Sequence, residues 1–333
     1  MRLRSGVAID LGTVNTLVWV SGKGLVVEEP STIAVDMVAG KVIAVGTAAE
    51  ELADKEPQDV EVIHPLRDGV IADLDAATAM LQDFFGRAKL RRWLLRPKAV
   101  VCVPSGATSL ERQALATAVA TRKPRCRITI IEEPVAAAAG AGFDLARGSG
   151  AFIVDIGGGT TEVAVVTGGR LVRSESLRLA GNALDDALIA AVRAELGLMI
   201  GPRAARRLKG ELGLTGGTTE SIEIIGVDKQ RRTPRVERIT AQLVADALHH
   251  PVTMMAEAVR EILHDLPPDL ASDVVQGKIC LAGGGALLPG LPSRIEVVAG
   301  VSALVVDDPL RCVVRGAAEV LEGRGGLAAT LTV

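Results

Sequence analysis

Two stretches decide the fold, VAIDLGTVNTLVWV at 7–20 and FIVDIGGGTTEVAV at 152–165. With Asp10 laid on Asp155, an offset of 145 residues (155 minus 10), both run through three apolar residues, Asp, an apolar residue and Gly. Three further residues, a Thr and an apolar-rich strand follow in each. An apolar run that ends in Asp-x-Gly and turns at once into a second strand is a β-hairpin with a carboxylate near its tip. A repeat at domain-sized spacing takes precedence over any single motif. It predicts two similar halves whose hairpins face one another across a cleft.

The turns carry phosphate-binding chemistry. Gly12, Gly157, Gly158 and Gly159 let the backbone approach a ligand, and exposed N–H groups in such turns form anion-binding nests. Thr13, Asn15, Thr160 and Thr161 add neutral donors. Asp10 and Asp155 would repel a phosphate unless a hard cation lay between, and Mg2+ is satisfied by one or two carboxylates plus substrate phosphates and water. Neither turn is a P-loop or a dinucleotide fingerprint, because GxxxxGK[ST] is absent and the glycine run leads into a strand pattern. A third cluster, GGGALLPGL at 283–291, reads either as a backbone packed flat against a base or sugar or as a plain strand-to-helix turn. Glu132 and Glu133 sit where the run ITII meets an Ala-rich helix. A carboxylate there either orients a water toward a terminal phosphate or stabilises the helix dipole by about 0.3–1 kcal/mol.

The 333 residues suit about two domains. Short runs at 7–9, 99–103, 128–131, 152–154 and 279–282 read as buried strands. Helical spacing marks 73–89, 109–121, 182–196, 203–212 and 240–263, so the layers alternate as in α/β proteins. Turn-rich sequence at 213–236 reads as a small insertion with short strands. Aromatics are only 2% of residues, so the core is built from Val, Ile, Leu and Ala. A net charge of −3 gives no general attraction to nucleic acid. Four cysteines, Cys102, Cys126, Cys280 and Cys312, form no CxxC pair, which fits a reducing, cytoplasmic setting. The histidines His64, His249, His250 and His264 have no metal-like spacing. No run reaches the roughly 18–20 apolar residues of a membrane span and no secretory leader is visible, so any membrane contact is expected to be peripheral.

DLGTVNT at 10–16, EEPS at 28–31, DGVIAD at 68–73, CVPSGAT at 102–108, IEEPVAAAAGAG at 131–142, DIGGGTTEVAVV at 155–166 and AGGGALLPGL at 282–291 together resemble the bacterial actins of the MreB/Mbl type, in the same order along essentially the whole chain. The resemblance implies an actin-like ATPase fold, the superfold shared with Hsp70 and sugar kinases: two duplicated α/β domains around a nucleotide cleft, each with a smaller subdomain. Domain I is expected at 1–145 plus 312–333, with its small subdomain at about 31–72. Domain II is expected at 146–311, with its small subdomain at about 181–236. By resemblance Thr13, Val14 and Asn15 form the first phosphate loop and Gly158, Gly159 and Thr160 the second. Asp10 and Asp155 are the carboxylates on the Mg2+ side, Gly284, Gly285, Ala286 and Leu287 the adenosine strip, and Glu133 positions the hydrolytic water beside Thr160. The helix at 206–213 is expected to touch the nucleoside. Lys209 is retained there, but Arg206 stands where the family usually has Glu, and a guanidinium cannot accept hydrogen bonds from ribose hydroxyls. Asn182 likewise replaces a frequent Asp.

The family's activity, slow Mg-dependent ATP hydrolysis coupled to polymerisation in the service of peptidoglycan synthesis and cell shape, is the leading expectation. ATP is the expected nucleotide, with GTP as an open substitute. Expected partners are further copies of the chain, cell-wall synthesis and morphogenesis membrane proteins, and the anionic inner face of the cytoplasmic membrane. For the last, RRWLLR at 91–96 places Trp93, Leu94 and Leu95 among arginines. Inserting three such side chains is worth roughly 4–6 kcal/mol at about 1.5–3 each, reduced by incomplete insertion; the alternative is that they cover the core. Rival readings are a non-hydrolysing nucleotide-binding scaffold or sensor of the same fold, a small-molecule phosphotransferase, and a chaperone of the Hsp70 kind, the last disfavoured by the lack of a substrate-binding region.

Overall fold

The computed structural model describes residues 6–53, 55, 57–89, 98–120, 127–146, 150–217, 219–323 and 331–332. The 91–96 segment with Trp93, Leu94 and Leu95 lies outside the described residues, as does Cys126.

Each half is organised on one mixed sheet. In the first the strands lie in the order Leu331–Thr332, Arg127–Glu132, Lys98–Val103, Gly6–Leu11, Asn15–Val20 and Gly24–Pro30. In the second the order is Arg170–Leu177, Thr161–Thr167, Ala151–Ile156, Ile279–Ala282 and Ala303–Val305. Around each hairpin the topology is the same, with a third antiparallel strand on one side and two parallel strands on the other. The register repeats too. Val7 faces Val20 and Asp10 faces Leu17, while Phe152 faces Val165 and Asp155 faces Glu162, each pair displaced by 145.

The parallel strands are apolar along their length because helices cover the sheets. Helix Leu74–Arg87 begins at Asp73, whose Oδ1 accepts from the Ala76 N–H at 2.9 Å, and it buries Ala76, Ala77, Met80, Leu81, Phe84 and Phe85. Helices Gly181–Leu196 and Ala241–His264 bury Leu184, Leu188 and Val192, and Val244, Leu248 and Val252, against the second sheet. His249 and His250 sit on the exposed side of the latter.

A third cluster joins the halves. Ala8, Val100 and Cys102 from one sheet and Ile153, Cys280 and Ala282 from the other close on the helices Glu133–Gly140 and Cys312–Glu322. These two helices cross where their residues are smallest. A Cβ at Gly140 would overlap the Cys312 carbonyl, and one at Gly316 the Ala136 carbonyl. The Cys312 thiol donates to Ala137 O at 3.2 Å. Burial raises its pKa to about 12, and lifts that of Cys280 to about 11 and that of Cys102 well above the ordinary range, so all three behave as small core side chains.

Small sheets flank both halves. Strands Lys41–Val45, Ile33–Asp36 and Val60–Ile63 form one, and Leu198–Met199, Ser221–Asp228 and Pro234–Thr240 the other. Two outcomes differ from the sequence reading. The strands between 24 and 63 were invisible because their apolar residues do not alternate toward one buried face: Val42 and Ile43 are both exposed. The hairpin within 213–236 is longer than expected, and its second strand runs on to Thr240.

Candidate functional site

The two hairpin turns are closed in the same way. Gly12 N–H donates to Asn15 O at 3.1 Å and Gly157 N–H to Thr160 O at 2.9 Å, again 145 residues apart. What holds them differs. Ser31 Oγ donates to Gly12 O at 2.7 Å and Ser31 N–H to Val14 O at 2.8 Å. In the second turn Gly157 O and Gly158 O accept from the N–H groups of Gly181 and Asn182 at 3.1 and 2.9 Å. Those amides open helix Gly181–Leu196, which has no side-chain cap, so the turn satisfies donors the helix would otherwise leave unpaired. A trans peptide points its N–H opposite to its C=O. With the carbonyls of Gly12, Gly157 and Gly158 engaged from behind, the N–H groups of Thr13, Gly158 and Gly159 point the other way.

The turns also meet each other. A Cβ at Gly158 would overlap the Val14 side chain, so glycine is what lets the turns approach. Between them stands a two-residue turn, Asp68 and Gly69, joining strands Leu66–Arg67 and Val70–Ile71. Both have positive φ, 50° and 77°, as a tight hairpin of the I′ class demands. Gly69 N–H donates to Thr13 Oγ1 at 2.8 Å, and a Cβ at Gly69 would come within 3.2 Å of Thr160 Cγ2.

A cleft of about 470 Å³ opens between the halves. It is lined by Asp10, Gly12, Thr13, Val14, Asn15, Glu133, Asp155, Gly157, Gly158, Gly159, Thr160, Arg206, Lys209, Gly284, Gly285 and Leu287, so most expected site residues converge there. Ala286 does not line it; its side chain is buried beneath the turn Gly284–Leu287. Thr161 faces away and donates to Leu179 O at 2.6 Å. Sequence reasoning missed Glu50, Gly69, Asp185, Pro309 and Leu310 on the cleft wall. Glu50 and Asp185 are ordinary helix acids by sequence, and only the tertiary fold brings them in.

The acidic pair at 132–133 divides cleanly. Glu132 turns to Arg112 at 3.1 Å, whereas Glu133 is buried and lines the cleft. Desolvation raises the Asp155 carboxyl to about 8, with Asp10 and Glu162 adding repulsion, and raises Asp10 to about 7. Burial and then the charges of Asp10, Asp155 and Glu162 push Glu133 well above the carboxylate range. Acids crowded this way call for a cation or for protons. Among the described residues no three His, Cys, Asp or Glu side chains form a metal cage. Asp10 and Asp155 could face a hard cation such as Mg2+, which takes one or two carboxylates together with substrate phosphates and water.

At the other end of the cleft, Lys209 Nζ lies 2.6 Å from Asp185 Oδ1 and donates to Gly181 O at 2.7 Å. Arg206 reaches Glu50 Oε1 at 3.1 Å and Asp185 Oδ2 at 3.6 Å. Lys209 thus lines the cleft and also ties its helix to the start of helix Gly181–Leu196 beside the second turn.

The family model described as MreB/Mbl protein matches residues 4–328. The chain is 39% identical over 322 residues to the cell shape-determining protein MreB of Escherichia coli, covering 95% of this chain and 92% of that one. It is 36% identical over 318 residues to the cell shape-determining protein Mbl of Bacillus cereus, covering 95% of each. Among solved structures, MreB 5 of Spiroplasma citri bound to AMPPNP superposes with a TM-score of 0.89 at 32% identity, with 97% of each chain covered. The MamK double helical filament, at 22% identity and a TM-score of 0.81, shares the fold over 96% of this chain and 99% of its own. Repeated hairpins, shared register and family match agree: the chain has the actin-like fold and belongs to the MreB/Mbl family.

Proposed function

We propose that the chain is a filament-forming, Mg-dependent ATPase that organises peptidoglycan synthesis and cell shape at the inner face of the cytoplasmic membrane. The observation that carries the reading is the convergence of two identically closed turns on a cleft that also holds Asp10, Asp155 and Glu133. The AMPPNP and ADP held by the Spiroplasma citri relatives support an adenine nucleotide.

In this reading the N–H groups of Thr13, Gly158 and Gly159 bind phosphate oxygens, and Thr13 and Thr160 add hydroxyl donors. The strip Gly284, Gly285 and Leu287 takes the nucleoside, with Lys209 and Arg206 opposite. Asp10 and Asp155 hold Mg2+, which when bound neutralises phosphate charge. Glu133 orients the attacking water and accepts its proton, with Thr160 beside it. Burial favours the protonated form of Glu133, which cannot take a proton from water, so Glu133 serves as base once the cleft's charge is balanced.

Further copies of the chain join end to end through a heterologous interface that does not close, which yields filaments. Domain I is assigned to 1–145 plus 312–333 and domain II to 146–311. No helix among the described residues is long and apolar enough to cross a membrane. Attachment is assigned to Trp93, Leu94 and Leu95 flanked by arginines, weak for one copy and strong for a filament presenting many. The second reading, a non-hydrolysing scaffold, is favoured by one observation: Arg206 and Lys209 are both engaged with acids in the cleft wall.

The test is co-sedimentation and electron microscopy on anionic liposomes with and without Mg-ATP, for the wild type and for a variant with Trp93, Leu94 and Leu95 changed to Ser. Filaments that need ATP and leave the liposomes in the variant support the proposal. Nucleotide binding without polymer or phosphate release moves the chain to the scaffold.

A further inference from the structure

The duplication breaks at one position that matters. Leu17 and Glu162 occupy the same place in the two hairpins, opposite Asp10 and Asp155 respectively. In the first half that place holds an apolar residue, as a buried strand position should. In the second it holds a carboxylate that is 1% exposed. Burying an acid costs several kcal/mol unless it is hydrogen-bonded on every side, so the exception needs a cause.

The partners of Glu162 supply it. Across the sheet Asp155, Glu162 and Ser176 stand in one cross-strand row, which places their side chains on one face. Glu162 Oε1 accepts from Ser176 Oγ at 2.5 Å within the second half. Glu162 Oε2 accepts from both the N–H and the Oγ of Ser105, at 2.9 and 2.5 Å. Ser105 belongs to the first half, in the loop that follows strand Lys98–Val103. One carboxylate thus fastens a first-half loop to the second-half hairpin strand that follows Thr160.

That loop reaches the phosphate turns. A Cβ at Gly69 would clash with Pro104, the residue before Ser105, and Gly69 N–H donates to Thr13 Oγ1 at 2.8 Å. The connection runs from Glu162 through Ser105 and Pro104 to Gly69 and Thr13, so it ends in the first turn, at Thr13, and on the strand that leaves the second, at Glu162. Proline fixes the backbone angle in the middle of it.

We propose that Glu162 is a positioning residue, a clasp between the halves that sets the spacing of the Thr13 and Thr160 turns for hydrolysis without touching the nucleotide. The proposal rests on the hydrolytic reading above. Its essential property is the double acceptance from Ser105, not the charge. A glutamine keeps an oxygen for Ser105, and its amide can donate to Ser176 Oγ once that hydroxyl rotates. Alanine leaves both serines unpaired.

The experiment compares wild type, Glu162→Ala, Glu162→Gln and Ser105→Ala in the full chain. Three readouts are taken: single-turnover phosphate release with Mg-ATP, affinity for a fluorescent ATP analogue, and hydrogen exchange of the 104–108 backbone in nucleotide-free protein. Glu162→Ala is expected to slow release tenfold or more with affinity within threefold, and to speed exchange at the Ser105 amide at least tenfold. Ser105→Ala is expected to fall between, and Glu162→Gln to keep at least a third of the wild-type rate. Ser105→Ala carries the test if Glu162→Ala does not fold. Equal losses in the Gln and Ala variants would overturn the clasp in favour of charge. Faster exchange with unchanged release would overturn the positioning role. A wild type that binds nucleotide but releases no phosphate would sink the hydrolytic reading itself and this role with it, an outcome separable from the others because it appears before any variant is compared.

Discussion

Arg206 Nη1 lies 3.1 Å from Glu50 Oε1, one on helix Pro202–Leu212 of the second half and the other on helix Thr47–Ala53 of the first. The pair bridges the two walls of the cleft. Both side chains are partly exposed, and such pairs contribute about 0.2–1 kcal/mol. Glu50→Gln, which leaves Arg206 in place, is therefore expected to speed ADP release by up to roughly fivefold at low salt. The difference should vanish near molar salt, where surface charges are screened. Stopped-flow release of a fluorescent ADP decides it, and equal rates at low salt would show that the pair does not latch the cleft.

A second prediction follows from the raised carboxyls. Burial pushes the Asp155 carboxyl up to about 8 against an ordinary 3.8, and that of Asp10 up to about 7. Between those values the folded state binds more protons than the unfolded chain, so its stability falls as pH rises from about 4 toward 8. Asp155→Asn removes the Asp155 share of that dependence and leaves the Asp10 share. Without nucleotide the variant should melt above the wild type at pH 8, with the gap shrinking toward pH 5. If Asp155 faces Mg2+ as proposed, Mg-nucleotide should reverse the order at pH 8, since Asn cannot replace that carboxylate. Melting curves at pH 5, 6.5 and 8, with and without Mg-ADP, test both halves of the statement.

The turns were legible because they occur twice, and two copies of Asp-x-Gly at one offset mark the hairpins, their register and the end of the cleft that the turns line. The other end was not. Arg206 and Glu50 are 156 residues apart and meet only in the fold, and Asp185 reads as one more acid on an amphipathic helix until Lys209 is seen against it. Glu162 carries no signal of its own in the sequence, because its partners Ser105 and Ser176 lie on a separate half and a separate strand. Strand Lys41–Val45 shows no alternation of the kind that marks a half-buried strand: Val42 and Ile43 are both exposed and only Val45 is buried.

The helix crossing between the halves makes a stability prediction. Gly316 stands against the Ala136 carbonyl, which is backbone in a buried helix and cannot swing aside. Gly316→Ala must separate the helices, and overpacking of this kind costs about 1–3 kcal/mol. Gly86→Ala, with open space around the added methyl in a helix of the first half, should instead be neutral or slightly stabilising. Denaturant unfolding of the pair checks the contrast, and a Gly316→Ala protein as stable as the wild type would mean that the crossing is loose.

The adjacent acids at the strand-to-helix junction give the sharpest functional contrast. Glu132 and Glu133 are identical in chemistry and neighbours in sequence, yet Glu132 is paired with Arg112 at 3.1 Å while Glu133 is buried on the cleft wall among Asp10 and Asp155. A helix-dipole role would make the two nearly interchangeable, since both sit at the helix start. A water-orienting role makes only Glu133 matter, and loss of a positioned general base costs roughly 10²–10⁴-fold in rate. Glu133→Ala is expected to bind Mg-ATP and to release phosphate at least a hundredfold more slowly, on the scale of that principle. Glu132→Ala is expected to keep its rate and to lose only the modest contribution of the Arg112 pair to stability. Single-turnover phosphate release on both variants separates the roles: comparable losses would return Glu133 to the helix dipole, and with it would fall the assignment of the water-activating group in this cleft.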